Sequence, residues 1–292
     1  MKTLLSIILT YCIRPFYGSG LGTVFPLKQL NQFYVRISQG RGEIIETTSG
    51  FKMAVQYGKY IDNTILVHWV WEPHITSLIK STLHTWDIFI DAGANIGYDT
   101  LLAASCVGDT GKVLSFEPAS ANYARLVKNV ELNDFHNVQT FQVWLWNTNF
   151  ETNLYLDNIN PGAASVLSSR SSDEWIEVST IQVRVFDEML PMQKCSLLKM
   201  DIEWYELEAL KWMKNLLKNN DLKIILEYSP GLYEKMEPTG NTGKEILEYL
   251  ESFGFKIHHI NQDWSYSIIP SITEYYNQVQ LDWWQSDIFC FC

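Results

Sequence analysis

The sequence has no excess of basic residues and no long run of charge. Its 292 residues include 33 Asp and Glu against 22 Lys and Arg, which gives a net charge of −11. Nucleic-acid phosphates are bound by basic faces, so this balance argues against nucleic acid as a partner. Hydrophobic residues make up 47% of the chain and charged residues 19%, which is typical of a globular protein with a sizeable core.

Cysteine and histidine patterns typical of cross-linked or metal-binding proteins are missing as well. The cysteines are odd in number and widely scattered, at Cys12, Cys106, Cys195, Cys290 and Cys292. They form neither a disulfide framework nor a Cys-x-x-Cys site, and the six histidines show no His-x-x-x-His spacing. Carboxylates also suit Mg²⁺ or Ca²⁺, so a cation held by clustered acids is an alternative, but the spacing of the acids in this sequence matches no defined site, and we predict no metal. The sequence also has no Asn-x-Ser/Thr glycosylation acceptor, which fits an intracellular protein.

Long hydrophobic runs are absent too. The apolar stretch from Leu4 to Ile13 is interrupted by Ser6 and Thr10, is too short to span a bilayer and has no small-x-small cleavage site. We expect no integral membrane segment and interpret this stretch as a helix that packs on the domain. A signal peptide or a membrane-surface segment is the alternative that the sequence leaves open.

The residues before the main domain predict a small extension. Prolines and glycines indicate a loop over 14–32. Short strand patterns separated by glycines follow at 33–38, 43–47 and 51–57 and predict a β-meander. Apolar residues at helical spacing after Pro73 predict a helix over 73–84. We predict an N-terminal helix and β-meander extension over residues 1–71 and one domain over 72–292.

From Trp86 onwards, apolar runs that end in an acid alternate with helical patterns. The acids are Asp91, Glu117, Asp201 and Glu227. The helices are predicted over 123–130, 207–217 and 246–253. Fully apolar strands that alternate with helices indicate a buried parallel sheet with helices on both faces. Ligands bind outside the carboxyl ends of such strands, so four acids at one edge predict a ligand site, whereas one alone would be explained as a helix cap.

A glycine-containing turn, Asp91 to Tyr98, follows the first of these strands and opens a helix. Glu117 lies 20 residues after Gly97, at the spacing at which an acid accepts the hydroxyls of a ribose. A dinucleotide site is one alternative, but the turn is not Gly-x-Gly-x-x-Gly, and Asp91 would repel a pyrophosphate. Asp91 suits a cationic ligand such as S-adenosylmethionine better. The other alternative is a tight turn that binds no ligand.

Several motifs in this order resemble the FkbM-type S-adenosylmethionine-dependent methyltransferases, from about Glu72 to the C-terminus. The segments that carry the resemblance are Phe89–Tyr98, Phe116–Pro118, Asn122–Tyr123, Leu126–Asn133, Gly162–Ser165, Val185–Glu188, Leu198–Glu203 and Ile225–Glu227. The resemblance implies an α/β fold of the class I (Rossmann-like) methyltransferase type. Its sheet would have seven strands, mostly parallel, with helices on both faces and residues 255–260 and 287–292 as the closing strands.

The resemblance also implies S-adenosylmethionine as cofactor and a set of site residues. The residues expected to bind the cofactor are Asp91, Gly93, Ala94, Asn95, Gly97, Tyr98, Glu117, Pro118 and Asn147. The stretch 144–147 would lie near the adenine, although it departs from the small residue and Asp usual in the family. A hydroxyl acceptor needs a base to remove its proton. The candidate catalytic acids are Asp201, taken first, and Glu203, Glu206 and Glu227.

Trp204 stands where the family has a glycine, beside the expected reaction centre. We interpret it as an accommodated core residue; a platform for the acceptor and a loss of catalysis are the alternatives. The leading hypothesis is a cytoplasmic O-methyltransferase that acts on a hydroxyl of a sugar, glycan or secondary metabolite. A non-catalytic S-adenosylmethionine-binding or scaffold protein, and an oxidoreductase with a nucleotide cofactor, are the rival hypotheses.

Overall fold

The computed structural model describes residues 40–157, 164–165, 175–191, 194–202, 205–231, 233, 241–261, 263–279 and 286–292. The predicted N-terminal helix and the predicted strand at 33–38 lie outside the described residues, as do Glu203 and Trp204.

The first described elements are an antiparallel hairpin and two helices. They are β1 (Gly42–Glu46), β2 (Lys52–Gln56), α1 (Tyr60–His68) and α2 (Pro73–Thr82). The predicted strands at 43–47 and 51–57 and the predicted helix after Pro73 are therefore confirmed. Pro73 is the first residue of α2, a position where its missing N–H costs no helical hydrogen bond.

Alternating strands and helices then build one half of a large sheet. The elements are β3 (Ile88–Ala92), α3 (Tyr98–Val107), β4 (Lys112–Phe116), α4 (Ser120–Glu131) and β5 (Val138–Phe141). The three strands are parallel, and Asp91 of β3 lies opposite Ser115 of β4. β3 and β4 are buried along most of their length, as their continuous apolar sequences predict.

After β5 the chain enters a second sheet that the sequence did not predict. Its strands are β6 (Val143–Leu145), β7 (Phe150–Asp157), β8 (Ala164–Ser165) and β9 (Trp175–Arg184), in the order β6-β9-β7-β8. A short helix, α5 (Phe186–Met189), follows. Polar residues such as Glu151 and Asn153 are exposed along β7, so its apolar alternation is too weak to indicate a strand with certainty.

The rest of the chain completes the large sheet. Its elements are β10 (Leu197–Met200), α6 (Glu206–Lys211), α7 (Lys214–Leu217), β11 (Lys223–Tyr228), α8 (Thr242–Ser252), β12 (Lys256–Ile260), β13 (Tyr266–Ile268), α9 (Ile272–Val279) and β14 (Ser286–Phe291). The helix predicted at 246–253 is confirmed as α8. Gly254 follows it with φ +93°, a backbone conformation that suits glycine at a helix end.

The large sheet has the order β13-β12-β14-β11-β10-β3-β4-β5. The pairs from β11 to β5 are parallel, and β14 is antiparallel to both of its neighbours, β11 and β12. The predicted α/β fold with a large, mostly parallel sheet is confirmed, and so are the two predicted closing strands.

The predicted count of seven strands is wrong, because the described part of this sheet has eight. The additional strand, β13, folds back on β12 through a turn in which Asn261 N donates to Ser265 O at 2.8 Å. All three residues of β13 are exposed, so no burial pattern in the sequence indicates this strand.

The single helix predicted over 207–217 is also wrong, because the chain forms two short helices there. The first, α6, ends at Lys211, and the second, α7, begins at Lys214. Asp187, at the start of α5, hydrogen-bonds to the segment between α6 and α7 and to the start of α7. Its backbone N–H donates to Trp212 O at 3.3 Å, and its carboxylate accepts a hydrogen bond from Asn215 N at 3.0 Å.

Two hydrophobic clusters cover the two faces of the large sheet. One contains Ile90, Leu114, Leu198 and Leu226 together with side chains of α6 and α8. The other contains Phe89, Val113, Leu197, Ile225 and Leu101 of α3, and also Met53, Ile65 and Ile79 from the hairpin and the first two helices. The hairpin therefore shares a core with α3. The division of the chain between residues 71 and 72 stays a prediction.

Candidate active site

The turn after β3 is held against the next strand by backbone hydrogen bonds. Gly93 N and Ala94 N both donate to Phe116 O, at 3.0 and 2.9 Å. The turn needs a left-handed backbone at three positions, Gly93 (φ +90°), Asn95 (φ 49°) and Gly97 (φ +94°). Glycine and asparagine adopt this conformation at the lowest steric cost, which is why the sequence folds in this way.

The two glycines of the turn are required by its own packing. A Cβ at Gly93 would lie 1.7 Å from the carbonyl oxygen of Asp201, at the end of β10. A Cβ at Gly97 would lie 2.6 Å from Leu126 Cδ1 in α4. Gly93 therefore brings the ends of β3 and β10 into contact, whereas Gly97 lets α4 pack on the turn.

Glu117 ties the turn to the end of β4. One carboxylate oxygen accepts a hydrogen bond from Asn95 N at 2.9 Å, and the other accepts one from Ala119 N at 2.8 Å. Burial raises the pKa of Glu117 to about 7, although these two hydrogen bonds act in the opposite direction. Pro118 separates Glu117 from Ala119 in the sequence. The Asn122 side chain also hydrogen-bonds to Glu117, so about one of the four acceptor positions of the carboxylate is left for a hydroxyl group.

Asp91 is fully buried at the end of β3. Its Oδ2 accepts a hydrogen bond from Thr100 Oγ1 at 2.6 Å, and its Oδ1 has no partner among the described residues. Burial raises the pKa of Asp91 to about 7, while nearby Lys199 opposes this shift. A buried acceptor without a partner is costly, so this oxygen is suited to a ligand that donates.

Lys199 was not among the predicted site residues, yet it lies at the centre of the site. It is opposite Asp91 in the parallel pair β3 and β10. Its Nζ lies 3.2 Å from Asp201 Oδ2 and 3.3 Å from Asp99 Oδ2. Burial lowers the pKa of Lys199, but the surrounding carboxylates, Asp201 first, outweigh it and raise the pKa well above its ordinary value.

Asp201 and Glu227 lie side by side at the ends of β10 and β11, where Met200 pairs with Leu226 one residue earlier. Asp201 accepts a hydrogen bond from the Glu227 side chain, which requires a proton on Glu227. Burial raises the pKa of Asp201, but Lys199 and this hydrogen bond lower it below the ordinary value. The Asp201 side chain is 28% exposed, against 7% for Lys199, so a ligand can reach it.

The same edge continues onto β14. Asp287 pairs with Glu227 in the sheet register, and His74 Nε2 lies 2.8 Å from Asp287 Oδ2. Neither His74 nor Asp287 was predicted. Glu72, just before α2, also interacts with Lys199, and burial raises its pKa well above the ordinary value. A lysine inside the apolar run Leu197–Met200 is the sequence signal that could have indicated the position of Lys199 in this cluster.

Other predicted site residues have contacts within the protein. Glu206 is buried at the start of α6 and accepts a hydrogen bond from Ile202 N at 3.1 Å. Asn147 donates to Glu208 Oε2 at 2.8 Å. The Tyr98 ring packs on Phe51 of the hairpin, with 5.2 Å between centroids. Ala94 is buried within the turn. These contacts leave the predicted roles of the four residues open to experiment.

An aromatic cluster adjoins Asn147. The Tyr205 ring lies 5.2 Å from the Trp144 ring and 5.1 Å from the Trp146 ring, measured between centroids, in edge-to-face contacts. The indole nitrogens of both tryptophans are buried, and within the described part of the chain neither has a hydrogen-bond partner. Two buried donors are therefore available beside the position predicted for an adenine.

The described residues contain neither a metal-binding cluster nor a membrane-spanning helix. In the described ranges, no group of three or more His, Cys, Asp or Glu side chains is arranged to hold a metal ion. None of the described helices is both long enough and apolar enough to cross a membrane.

Comparison with known proteins identifies the family. Residues 91–257, more than half of the chain, match the methyltransferase FkbM domain. The chain belongs to the FkbM methyltransferase family. The predicted resemblance to the FkbM-type methyltransferases is thereby confirmed. No curated protein matches the chain.

Solved structures with partial similarity include three methyltransferase-fold proteins. Methyltransferase FkbM from Methylobacillus flagellatus is 15% identical, with a TM-score of 0.44 over 78% of this chain and 54% of that one. An S-adenosylmethionine-dependent O-methyltransferase from Thermotoga maritima is 16% identical, with a TM-score of 0.44 over 90% and 82%. Fibrillarin from Aeropyrum pernix, solved with S-adenosylmethionine, is 12% identical, with a TM-score of 0.41 over 85% and 92%. This chain thus spans about half of the first of these proteins.

Proposed function

We propose that this methyltransferase binds S-adenosylmethionine at the turn after β3 and methylates a hydroxyl group of a sugar, glycan or secondary metabolite. The observation that carries the proposal is the contact between the turn and the end of β10. Gly93 packs directly on the backbone of Asp201, so a cofactor held by the turn lies beside an accessible carboxylate. The cytoplasm, where the cofactor is available, stays the predicted location.

The polar atoms of the turn and of the neighbouring strands suit the groups of this cofactor. Asp91 Oδ1 is a buried acceptor that lacks a described partner, which suits an ammonium group. Glu117 has about one acceptor position left for a ribose hydroxyl. The indole N–H groups of Trp144 and Trp146 suit the acceptor nitrogens of an adenine. When bound, S-adenosylmethionine supplies a methyl group on a sulfonium sulfur, which makes that methyl electrophilic.

Asp201 is our candidate for the base that takes the proton from the acceptor hydroxyl. A neutral hydroxyl is a weak nucleophile, so its oxygen must lose a proton as its bond to the methyl carbon forms. Because its pKa is lowered, Asp201 is ionised at neutral pH and can accept that proton at a carboxylate oxygen. Glu227 donates a hydrogen bond to the ionised Asp201 and so helps to orient it. Glu203, outside the described residues, stays a predicted member of this group.

Calorimetric titration with S-adenosylhomocysteine, with NAD as the rival ligand, tests the cofactor assignment. We expect saturable binding of S-adenosylhomocysteine alone, and its loss in Asp91→Ala. The control is Asp109→Ala, which removes an exposed acid after α3 and should leave binding unchanged. NAD binding alone would favour an oxidoreductase, and equal affinity in wild type and Asp91→Ala would contradict the assigned site.

A further inference from the structure

Lys199 is a buried cation in the middle of the large sheet. Its side chain is 7% exposed and lies on the same face of the sheet as Asp91, its neighbour in the register. A buried ammonium group is unfavourable unless it is paired and hydrogen-bonded. Lys199 satisfies this condition with two carboxylates, each within 3.3 Å.

Its two partners are in different environments. Asp99, on the first turn of α3, has a side chain that is 5% exposed, so this pair is enclosed in the core. Asp201, after β10, has a side chain that is 28% exposed. The ammonium group therefore connects an inaccessible carboxylate to the carboxylate that a ligand can reach.

Acids on the neighbouring elements lie around this ion-pair cluster. Besides Asp99 and Asp201, Glu72 before α2 and Asp91 on β3 interact with the ammonium group itself. Glu227 on β11 hydrogen-bonds to Asp201, and Asp287 on β14, paired with His74 of α2, interacts with Asp99 and Glu72. With one lysine among these acids, the distances decide which of them the ammonium group stabilises most. The ammonium is in hydrogen-bond contact with Asp201 and in ion-pair contact with Asp99, so these two gain most from it.

We infer that Lys199 is a positioning residue, which fixes the Asp201 side chain and keeps it ionised as the proton acceptor, while Asp99 anchors the ammonium group from the core. The role in catalysis rests on the proposed function. The electrostatic part of the inference does not, because it concerns only the protein's own groups. Replacing the lysine by a neutral residue removes the opposite charge nearest to Asp201, which raises the pH at which Asp201 takes up a proton.

The experiment is a carbon-13 NMR titration of aspartate carboxyl groups in the full-length protein, without cofactor or acceptor. The Asp201 signal is assigned by its absence in Asp201→Asn. In Lys199→Met we expect the midpoint of the Asp201 titration to move up by about 1 unit or more. Lys199→Gln tests the same charge loss with a polar side chain that can still donate to both aspartates.

Two controls separate charge from packing. Lys199→Arg keeps the positive charge and should keep the Asp201 midpoint within a few tenths of a unit of wild type. Lys244→Gln removes a half-buried lysine that lies 3.3 Å from Glu248, a distance similar to that of Lys199 from its partners, and should leave the Asp201 midpoint unchanged. If Lys199→Met does not fold, Lys199→Gln decides. An unchanged midpoint in a folded neutral variant would overturn the inference, whatever the result with S-adenosylhomocysteine.

Discussion

The two halves of the carboxyl edge use the same residue types in opposite ways. At the ends of β3 and β4, Asp91 and Glu117 are buried, and burial raises the pKa of each to about 7. At the end of β10, Asp201 is accessible, and Lys199 lowers its pKa. Burial and the nearest cation therefore decide whether an acid at a strand end holds a proton or a charge near neutral pH.

The largest change in unfolding free energy is expected at Gly93, where the ends of β3 and β10 are in contact. Gly93→Ala would place a methyl group 1.7 Å from Asp201 O, at a backbone φ of +90° that disfavours alanine. We expect a loss of about 3 kcal/mol or more in unfolding free energy, from overpacking and backbone strain together. Urea denaturation measures it.

Gly254→Ala is the matched control for this change. Gly254 has nearly the same φ, +93°, and a Cβ there would meet no atom within 4 Å. It should show the backbone cost alone, about 1 kcal/mol. Equal losses of unfolding free energy in Gly93→Ala and Gly254→Ala would mean that the close contact of Gly93 with Asp201 adds no cost to the substitution.

A smaller effect is expected for the pH dependence of the first half. Asp91 keeps its proton up to about pH 7 when folded, against its ordinary value of 3.8, so the unfolded chain binds fewer protons between these values. Stability therefore falls as the pH rises from about 4 to 7, by about 1 to 3 kcal/mol at this residue. Asp91→Asn should reduce this fall, as measured by urea denaturation across that range.

Asp109→Asn is the control for the pH experiment, because it changes an exposed acid and should keep the wild-type dependence. Asp201 contributes a pH dependence of stability with the opposite sign. Its lowered pKa contributes stability above its ordinary value of 3.8, which is lost as the pH falls further. Parallel pH curves for wild type and Asp91→Asn would show that burial does not hold the proton on Asp91.

The smallest effect is expected for an ion pair outside the site. Lys244 and Glu248 lie 3.3 Å apart on the surface of α8, whereas Lys199 meets its partners at the same separation inside the sheet. Lys244→Gln should change the unfolding free energy by no more than about 0.5 kcal/mol, since water and salt screen exposed pairs. A loss above about 1 kcal/mol, measured by the same denaturation, would contradict the role given to burial.

Sequence reasoning found the parts of the site that follow a regular pattern. The apolar runs before Asp91, Glu117, Asp201 and Glu227 are strands, and their shared direction places the four acids at one edge of the sheet. The family match over residues 91–257 agrees with the motifs quoted from the sequence. Buried parallel strands are apolar on both faces, so such runs are recognisable without a structure.

The features that sequence analysis missed have physical explanations. β13 is exposed and the second sheet is only partly apolar, so neither has a pattern strong enough to predict. Asp287 and His74 are 213 residues apart in sequence, and only the antiparallel pairing of β14 with β11 brings Asp287 to the edge. Tyr98, expected by position to bind the cofactor, packs on Phe51 of a hairpin whose docking the sequence does not reveal.

Local sequence patterns alone were enough to predict the parallel strands of the main domain, the glycine turn and the acids at the strand ends, because these depend on residues close together in the chain. The surroundings of each acid, and with them its pKa, came only from the folded arrangement. That arrangement buried Asp91 and Glu117, placed the Lys199 ammonium group between Asp99 and Asp201, and brought Gly93 against the backbone of Asp201. Burial and the distance between charges set a carboxyl group's pKa, and both arise from contacts between distant segments.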